Sequence, residues 1–132
     1  MVNKNIHGNW TMSFDDRFLH SEVIGSTNTE TSMAWFEELK QRLLNSTDQD
    51  TVPWVALVDS RRWNIGPAEL WDANNVLIKW CSEHNCIFFA VVYANKLQEF
   101  SAKQGIDPES TMQIFFNYDE ALKECQHKLL RK

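Results

Sequence analysis

The sequence predicts an α/β fold in which helices cover both faces of a mostly parallel β-sheet. The main observation is an uncharged apolar run over residues 54–58 (WVALV), which is typical of a strand buried on both sides. A second run of this kind, over residues 86–93, predicts another buried strand. Stretches with helical periodicity separate the strands, as crossover connections between parallel strands require.

The beginning of the chain predicts a β-hairpin that adds an antiparallel edge to this sheet. Residues 10–14 alternate apolar and polar side chains, and residues 18–24 resume as a second strand. Asp15 and Asp16 supply turn chemistry between the two strands. Gly25 is expected to end the second strand.

A capping box predicts the start of the first helix. Residues 27–30 (TNTE) place a hydroxyl at the cap position and a carboxylate three residues later. Glu38 and Arg42 stand at i,i+4 and are expected to pair on the outer face of the helix. The helix is expected to end near residues 45–46, before a polar loop over residues 47–51. Its expected inner face consists of Met33, Phe36, Leu39, Leu43 and Leu44.

The rest of the chain continues the alternation of helices and strands. Pro67 suits the first position of the second helix, where its missing N–H costs nothing. The further predicted elements are the end of that helix near residues 84–85, a helix over residues 97–104 stopped by Gly105, a strand over residues 112–116, and a terminal helix capped by Asn117 or Asp119. The expected inner faces are Leu70, Trp71, Asn74, Leu77, Ile78 and Cys81 in the second helix, and Ala121, Leu122, Cys125 and Leu129 in the last. The predicted order is therefore a β-hairpin followed by α-β-α-β-α-β-α, in a single domain of residues 1–132.

Composition limits the classes of function. A chain of 132 residues fits one domain, and its net charge of −5 argues against a nucleic-acid partner, because phosphate binding needs clustered cations. Three cysteines form no paired disulfide framework and suit a reducing cytosol. The sequence shows neither a signal peptide nor an apolar stretch long enough to span a bilayer. A cytoplasmic protein without a membrane span is expected.

The order of elements and several local patterns resemble the STAS superfamily, in particular its small, stand-alone bacterial SpoIIAA-like proteins. The resemblance covers nearly the whole chain. Its carriers are the hairpin closed by Ile24-Gly25, the strands over residues 54–59 and 88–92, and the strand-to-helix segment over residues 114–122. The resemblance implies a mixed sheet with helices packed on it, and a regulatory or ligand-binding role without catalysis.

In anti-sigma-factor antagonists of this superfamily, a strand ends on an aspartate and a serine at the start of the next helix is phosphorylated. Asp59 matches the strand-end aspartate. The helix-opening segment here, residues 64–67 (NIGP), contains no serine or threonine. Ser60 lies nearby, but local serine hydroxyls more often cap or close turns, so the resemblance does not extend to a phosphoswitch.

The segment after Val58 is the best candidate for a binding site, and it is expected to be a short polar loop. Two interpretations stay open for it. In one, the arginines present forked donors to an anion or a protein partner, and an aromatic side chain serves as apolar anchor. In the other, the aspartate accepts backbone N–H groups and the arginines are solvated. The candidate residues are Asp59, Ser60, Arg61, Arg62, Trp63 and Asn64.

No metal, cofactor or catalytic residue is expected. Cys81, Cys86 and Cys125 fall on apolar helix faces or in a buried strand, and their spacing lacks the paired pattern of zinc sites. The histidines are His7, His20, His84 and His127, and none stands at a strained turn of the kind that presents a nucleophile.

Aromatic residues leave a second functional hypothesis open. They either form a large core or line an apolar pocket for a hydrophobic, lipid-like ligand. The residues concerned are Trp71, Trp80, Phe88, Phe89, Tyr93 and Phe100. The sequence therefore predicts a non-enzymatic module that binds a protein partner or a small ligand at the segment after Val58, with a carrier of a hydrophobic or lipid-like ligand as the alternative. A homodimer is compatible with both.

Overall fold

The computed structural model describes residues 7–45 and 52–130, and the elements follow the predicted order. They are β1 (Asn9–Asp15), β2 (Phe18–Ser26), α1 (Thr29–Leu44), β3 (Trp54–Asn64), α2 (Leu70–Glu83), β4 (Cys86–Val92), α3 (Lys96–Lys103), β5 (Met112–Phe115) and α4 (Tyr118–Leu130). The sheet has the order β1-β2-β3-β4-β5, with β1 antiparallel to β2 and the later pairs parallel. The predicted α/β fold with an antiparallel edge is confirmed. The loop predicted over residues 47–51 lies outside the described residues.

Helices cover both faces of the central strands, which explains their apolar sequences. Ala56 and Val58 of β3 belong to the core beneath α1 and α2, whereas Val55 and Leu57 belong to the core beneath α4. Because α4 packs against β3, β4 and β5, the face of the hairpin on that side has no helix over it in the described structure. This leaves a shallow groove beside α4.

The hairpin turn lies one residue later than predicted. Asp16 and Arg17 both have left-handed backbone conformations, with φ of 51° and 64°, the combination that two-residue hairpin turns favour. The expected end of β2 at Gly25 is also wrong. Gly25 adopts a φ of 83° within the strand, and β2 continues to Ser26 because β3 pairs with it that far.

The first helix is capped by Asn28 rather than by Thr27. The Asn28 side chain accepts a hydrogen bond from the Thr31 backbone N–H at 3.0 Å, and the Thr31 hydroxyl accepts one from the Asn28 N–H at 3.2 Å. The expected pair of Glu38 and Arg42 is confirmed at 2.8 Å. The helix ends as predicted, with Asn45 at its C-cap.

The inner face of α1 is rotated from the predicted one. Met33 and Leu44 are exposed, while Trp35 shares the buried face with Leu39 and Leu43. Trp35, Leu39 and Leu43 follow one another at four-residue spacing, and the Trp35 indole N–H donates to the Ser21 hydroxyl at 2.9 Å, so its polar group is satisfied inside the core.

A tight turn, a packing contact and a side-chain cap set the limits of the later helices. α2 begins at Leu70, not at Pro67, because residues 67–70 form a tighter turn in which the Leu70 N–H donates to the Pro67 carbonyl at 3.2 Å. Gly105 follows α3 as predicted, but its cause is packing. A Cβ there would lie 2.6 Å from Cβ of Trp71. Asn117, one of the two predicted caps, accepts from the Glu120 N–H at 3.0 Å.

Candidate functional site at the end of strand β3

Strand β3 does not stop at Val58, and the predicted polar loop after it is wrong. The strand continues to Asn64, and its pairing with β2 includes Glu22 with Asp59 and Ser26 with Asn64. The sequence does not predict this part of the strand, because residues 60–64 (SRRWN) lack the alternation of apolar and polar side chains that is typical of a half-buried strand. The pairing arises because β2 is long enough to supply hydrogen-bonding partners.

A β-bulge in this extension sends the candidate residues to opposite faces of the sheet. Glu22 pairs with Asp59 and Ile24 with Arg62, so two residues of β3 stand opposite one residue of β2. The extra residue resets the alternation. As a result Ser60 and Trp63 both face the core beneath α1 and α2.

Asp59 and Arg61 form the centre of what we call the outer surface, which faces the α4 side of the sheet. Asp59 accepts hydrogen bonds from Nε of Arg61 at 2.9 Å, from its terminal nitrogen at 2.7 Å, and from its backbone N–H at 3.1 Å. The guanidinium lies 5.1 Å from the ring centre of Tyr118, at cation–π distance. Arg61 is therefore held in one orientation by a carboxylate and an aromatic ring.

The outer surface borders a groove of about 400 Å³ beside the hairpin. Arg62 is more exposed than Arg61 and reaches Glu22 at 3.7 Å. The ring of His20 stacks on Phe18 with centroids 4.0 Å apart, and partial burial lowers the pKa of His20. The groove is lined by Thr11, Met12, Ser13, His20, Ser21, Glu22, Leu57, Asp59, Arg61 and Tyr118. Charges of both signs therefore meet here.

The pKa of Asp59 reflects opposing effects. Burial on its own raises the pKa, but hydrogen bonds from the Arg61 side chain and backbone outweigh it, with help from the charges of Arg61 and Arg62. The pKa of Asp59 is consequently below its usual value, and the carboxylate is ionised at neutral pH. The expected acceptance of a backbone N–H by Asp59 is confirmed, whereas binding of an anion or a partner by the arginines stays a prediction.

Ser60 and Trp63 lie on the other side of the sheet and are buried, each with 6% exposure. The indole N–H of Trp63 donates to the Thr27 hydroxyl at 2.8 Å, and its ring centre lies 5.8 Å from that of Tyr93. Trp63 as an exposed anchor for a partner is therefore a wrong expectation. Asn64 is exposed at the end of the strand. Because the Ser60 hydroxyl faces inward, this structure gives a kinase no access to it.

The inward-facing side of β3 borders a small cavity, of about 90 Å³, between the sheet and helices α1 and α2. We call it the inner cavity. Ser60, Trp63, Trp71, Phe89 and Tyr93 contribute to its walls. The bulge thus separates the candidate residues into an exposed charged group and a buried group around a cavity.

Gln98 is a structural residue of the site that sequence analysis missed. Its side-chain amide donates to the carbonyls of Ser60 at 3.1 Å and Trp63 at 2.6 Å, and its side-chain oxygen accepts from the Ala94 N–H at 2.6 Å. A glutamine at the second residue of a predicted short helix is not a pattern that predicts hydrogen bonds to a distant strand. It fastens α3 to the bulged end of β3.

The aromatic residues singled out from the sequence do not form one cluster. Trp71, Phe89 and Tyr93 belong to the core beneath α1 and α2, and Trp80 packs at its margin. The other two lie elsewhere: Phe88 faces α4, and Phe100 is exposed on α3.

The cysteines are buried thiols on both sides of the sheet. Burial raises the pKa of Cys86 and of Cys125 to about 12, and raises that of Cys81 well above its usual value. They are therefore protonated at neutral pH, which makes them poor nucleophiles and poor metal ligands. Among residues 7–45 and 52–130, no group of three His, Cys, Asp or Glu side chains could hold a metal ion.

Comparison with known proteins identifies the fold. No protein-family model and no curated protein sequence matches this chain significantly. Solved structures do match over nearly their entire lengths. An anti-sigma factor antagonist from Mycobacterium paratuberculosis is 13% identical, with a TM-score of 0.66 over 95% of this chain and 99% of that one. A variant of RsbS from Moorella thermoacetica is 12% identical, with a TM-score of 0.68 over 98% and 100%.

A third solved structure extends the likeness to a protein of uncharacterised function. This protein, from Shewanella loihica PV-4, is described as having a SpoIIAA-like fold. It is 15% identical, with a TM-score of 0.58 over 95% of this chain and 98% of that one. The chain therefore has a STAS-type, SpoIIAA-like fold, and the resemblance found in the sequence is confirmed at the level of the fold. In the described part of the chain, no helix is long and apolar enough to cross a membrane.

Proposed function

We propose that this chain is a non-enzymatic regulatory module of the cytoplasm that binds a protein partner through the outer surface. The observation that carries the proposal is the orientation of Arg61 by Asp59 and Tyr118 at the exposed end of the central strand. A guanidinium held in place loses less conformational entropy on binding than a free side chain does. The likeness to a solved anti-sigma factor antagonist supports a protein as the partner.

Exposed apolar side chains on α3, the helix that Gln98 joins to the end of β3, favour a partner with both acidic and apolar groups. Leu97 and Phe100 stand one turn apart on α3 and are 66% and 58% exposed. Gln98, between them in sequence, bonds to the end of β3, so this part of α3 lies against the strand that carries the arginines. Arginine and aromatic residues are enriched at the energetic centres of protein interfaces.

The alternative function, a carrier of a lipid-like ligand, receives less support. The inner cavity measures about 90 Å³. An apolar cavity that accepts one benzene molecule is larger, at about 150 Å³. A long acyl chain would therefore need a substantial opening of α2 away from the sheet.

The proposal predicts that arginine substitutions at the outer surface weaken partner binding without unfolding the domain. The double variant Arg61→Ala/Arg62→Ala should recover about tenfold less partner in an affinity pull-down from lysate of the source organism, quantified by mass spectrometry, since interface arginines often contribute more than 1 kcal/mol. Lys79→Ala is a matched control, because Lys79 is an exposed cation on α2.

Thermal melting separates loss of binding from loss of folding in the double variant. A partner recovered equally by the wild type, the double variant and the Lys79→Ala protein would contradict a role of the outer surface. A Leu97→Ser/Phe100→Ser variant tests the adjoining apolar residues in the same assay. Loss of the same partner in the arginine variant and in the Leu97→Ser/Phe100→Ser variant is the expected pattern.

A further inference from the structure

Three mostly buried residues with polar groups that make no hydrogen bond to the protein line the inner cavity. Ser60, Trp71 and Tyr93 all contribute to its walls, and all are more than nine-tenths buried. Within the described residues, the Ser60 hydroxyl, the Trp71 indole N–H and the Tyr93 hydroxyl make no hydrogen bond. The other buried tryptophans behave differently, since Trp35, Trp54 and Trp63 each donate to an oxygen of the protein.

These unpaired groups must still be accessible from an open space. Every side-chain nitrogen or oxygen that is completely enclosed in the described structure has a hydrogen-bonding partner. The Ser60 hydroxyl has none, so it is not completely enclosed, and Ser60 is one of the residues that line the cavity. Native proteins rarely leave buried polar groups unpaired, and such groups usually mark a bound water or ligand.

The rest of the inner cavity is mostly apolar, although Thr27, Thr31, Ser32 and Asn74 also line it. Val58, Leu77, Ile78, Phe89 and Val91 supply aliphatic and aromatic surface there. A mostly apolar hollow with a few convergent polar groups is the usual composition of a small-molecule site. Ordered water, in contrast, needs two to four polar partners at each position.

The cavity is not fully enclosed. Half-buried residues line it on both sides: Trp10 and Val23 belong to the hairpin, and Asn74 and Met112 belong to α2 and β5. A small part of a bound molecule can therefore remain outside the enclosed volume.

We propose that the inner cavity binds a small amphiphilic molecule, with an apolar body about the size of an aromatic ring and one hydroxyl that pairs with Ser60 and Tyr93. Because the cavity is smaller than one that accepts a whole benzene molecule, the ring is only partly enclosed and the rest of it lies at the open side of the cavity. The size of the cavity excludes a fully enclosed lipid chain, and the unpaired hydroxyls favour a ligand with its own hydrogen-bonding group. The site lies on the opposite face of the sheet from the outer surface, so it is independent of the proposed protein partner.

Phenol is a suitable probe, toluene the matched probe without a hydroxyl, and decanoate the probe for a lipid-like ligand. In an NMR titration of the ¹⁵N-labelled protein, phenol should cause saturable shifts at the amides of Ser60, Trp71 and Tyr93 at millimolar concentration. Toluene should bind more weakly. Ser60→Ala and Tyr93→Phe remove only an oxygen atom each, so both variants should stay folded, and each should weaken phenol binding about fivefold while leaving toluene binding unchanged.

Several results of this titration would overturn the proposal. Shifts that do not saturate, or that scatter over the surface, would mean that the cavity holds only water. Equal affinity of both variants and the wild type for phenol would remove the role of the hydroxyls. Tighter binding of decanoate than of phenol at the same amides would replace the small ligand with a lipid-like one. None of these outcomes affects the pull-down test of the outer surface.

Discussion

Replacement of Trp63 by alanine is expected to lower the free energy of unfolding by about 3–5 kcal/mol, the usual cost of truncating a buried tryptophan. Trp63 is buried at 6% exposure, packs near Tyr93 and donates to Thr27. Its removal would merge the vacated space with the inner cavity and leave the Thr27 hydroxyl without its donor. Urea unfolding followed by circular dichroism measures the change.

A conservative variant separates the two contributions of Trp63. Trp63→Phe keeps an aromatic ring in the core but removes the indole N–H, so a smaller loss, about 1–2 kcal/mol, is expected. If the segment after Val58 were a solvated loop, both substitutions would change stability by less than about 0.5 kcal/mol. That outcome would contradict the bulged strand.

Replacement of Gln98 by alanine is expected to lower the free energy of unfolding by about 2–4 kcal/mol. The substitution leaves the carbonyls of Ser60 and Trp63 and the N–H of Ala94 without their side-chain partner. Each buried group left unpaired costs about 1–3 kcal/mol, although water that enters the space recovers part of it. Chemical denaturation of the purified variant provides the measurement.

Gln126→Ala is the matched control for the Gln98 variant. Gln126 is an exposed glutamine on α4, so its loss should change stability by less than about 0.5 kcal/mol. Amide hydrogen exchange adds a local test, since the amides of residues 60–63 and of α3 should lose protection together in the Gln98 variant. Similar stabilities of the two glutamine variants would mean that Gln98 does not fasten α3 to β3.

The sequence was sufficient to predict the order and type of the elements. Apolar runs such as residues 54–58 predict buried strands because helices on both faces exclude water from each side. The face of a helix is harder to predict when polar bonds decide it. Trp35 lies on the inner face of α1 in place of Met33, and Ser21, distant in sequence, accepts its indole N–H.

The candidate site was only partly predictable, because its geometry depends on pairing between distant strands. The sequence indicates that Asp59 and Arg61 follow the apolar run, but it predicts a loop where both residues lie within the strand, and it does not predict that the carboxylate orients the arginine. The inward direction of Ser60 and Trp63 follows from the bulge opposite β2, and no local pattern encodes that bulge. The contacts of Gln98 likewise join residues that are 35 and 38 positions apart in the sequence.

The division of the candidate site into two faces is the central claim, and thiol labelling tests it most directly. Ser60→Cys and Arg62→Cys introduce a thiol on either side of the bulge, and the native cysteines are buried and give little background. The wild type is the reference for that background. Under native conditions, a maleimide should modify the Arg62→Cys variant at least about tenfold faster than the Ser60→Cys variant, since accessibility governs thiol reactivity. Equal rates for the two introduced thiols, with both variants folded, would contradict the division.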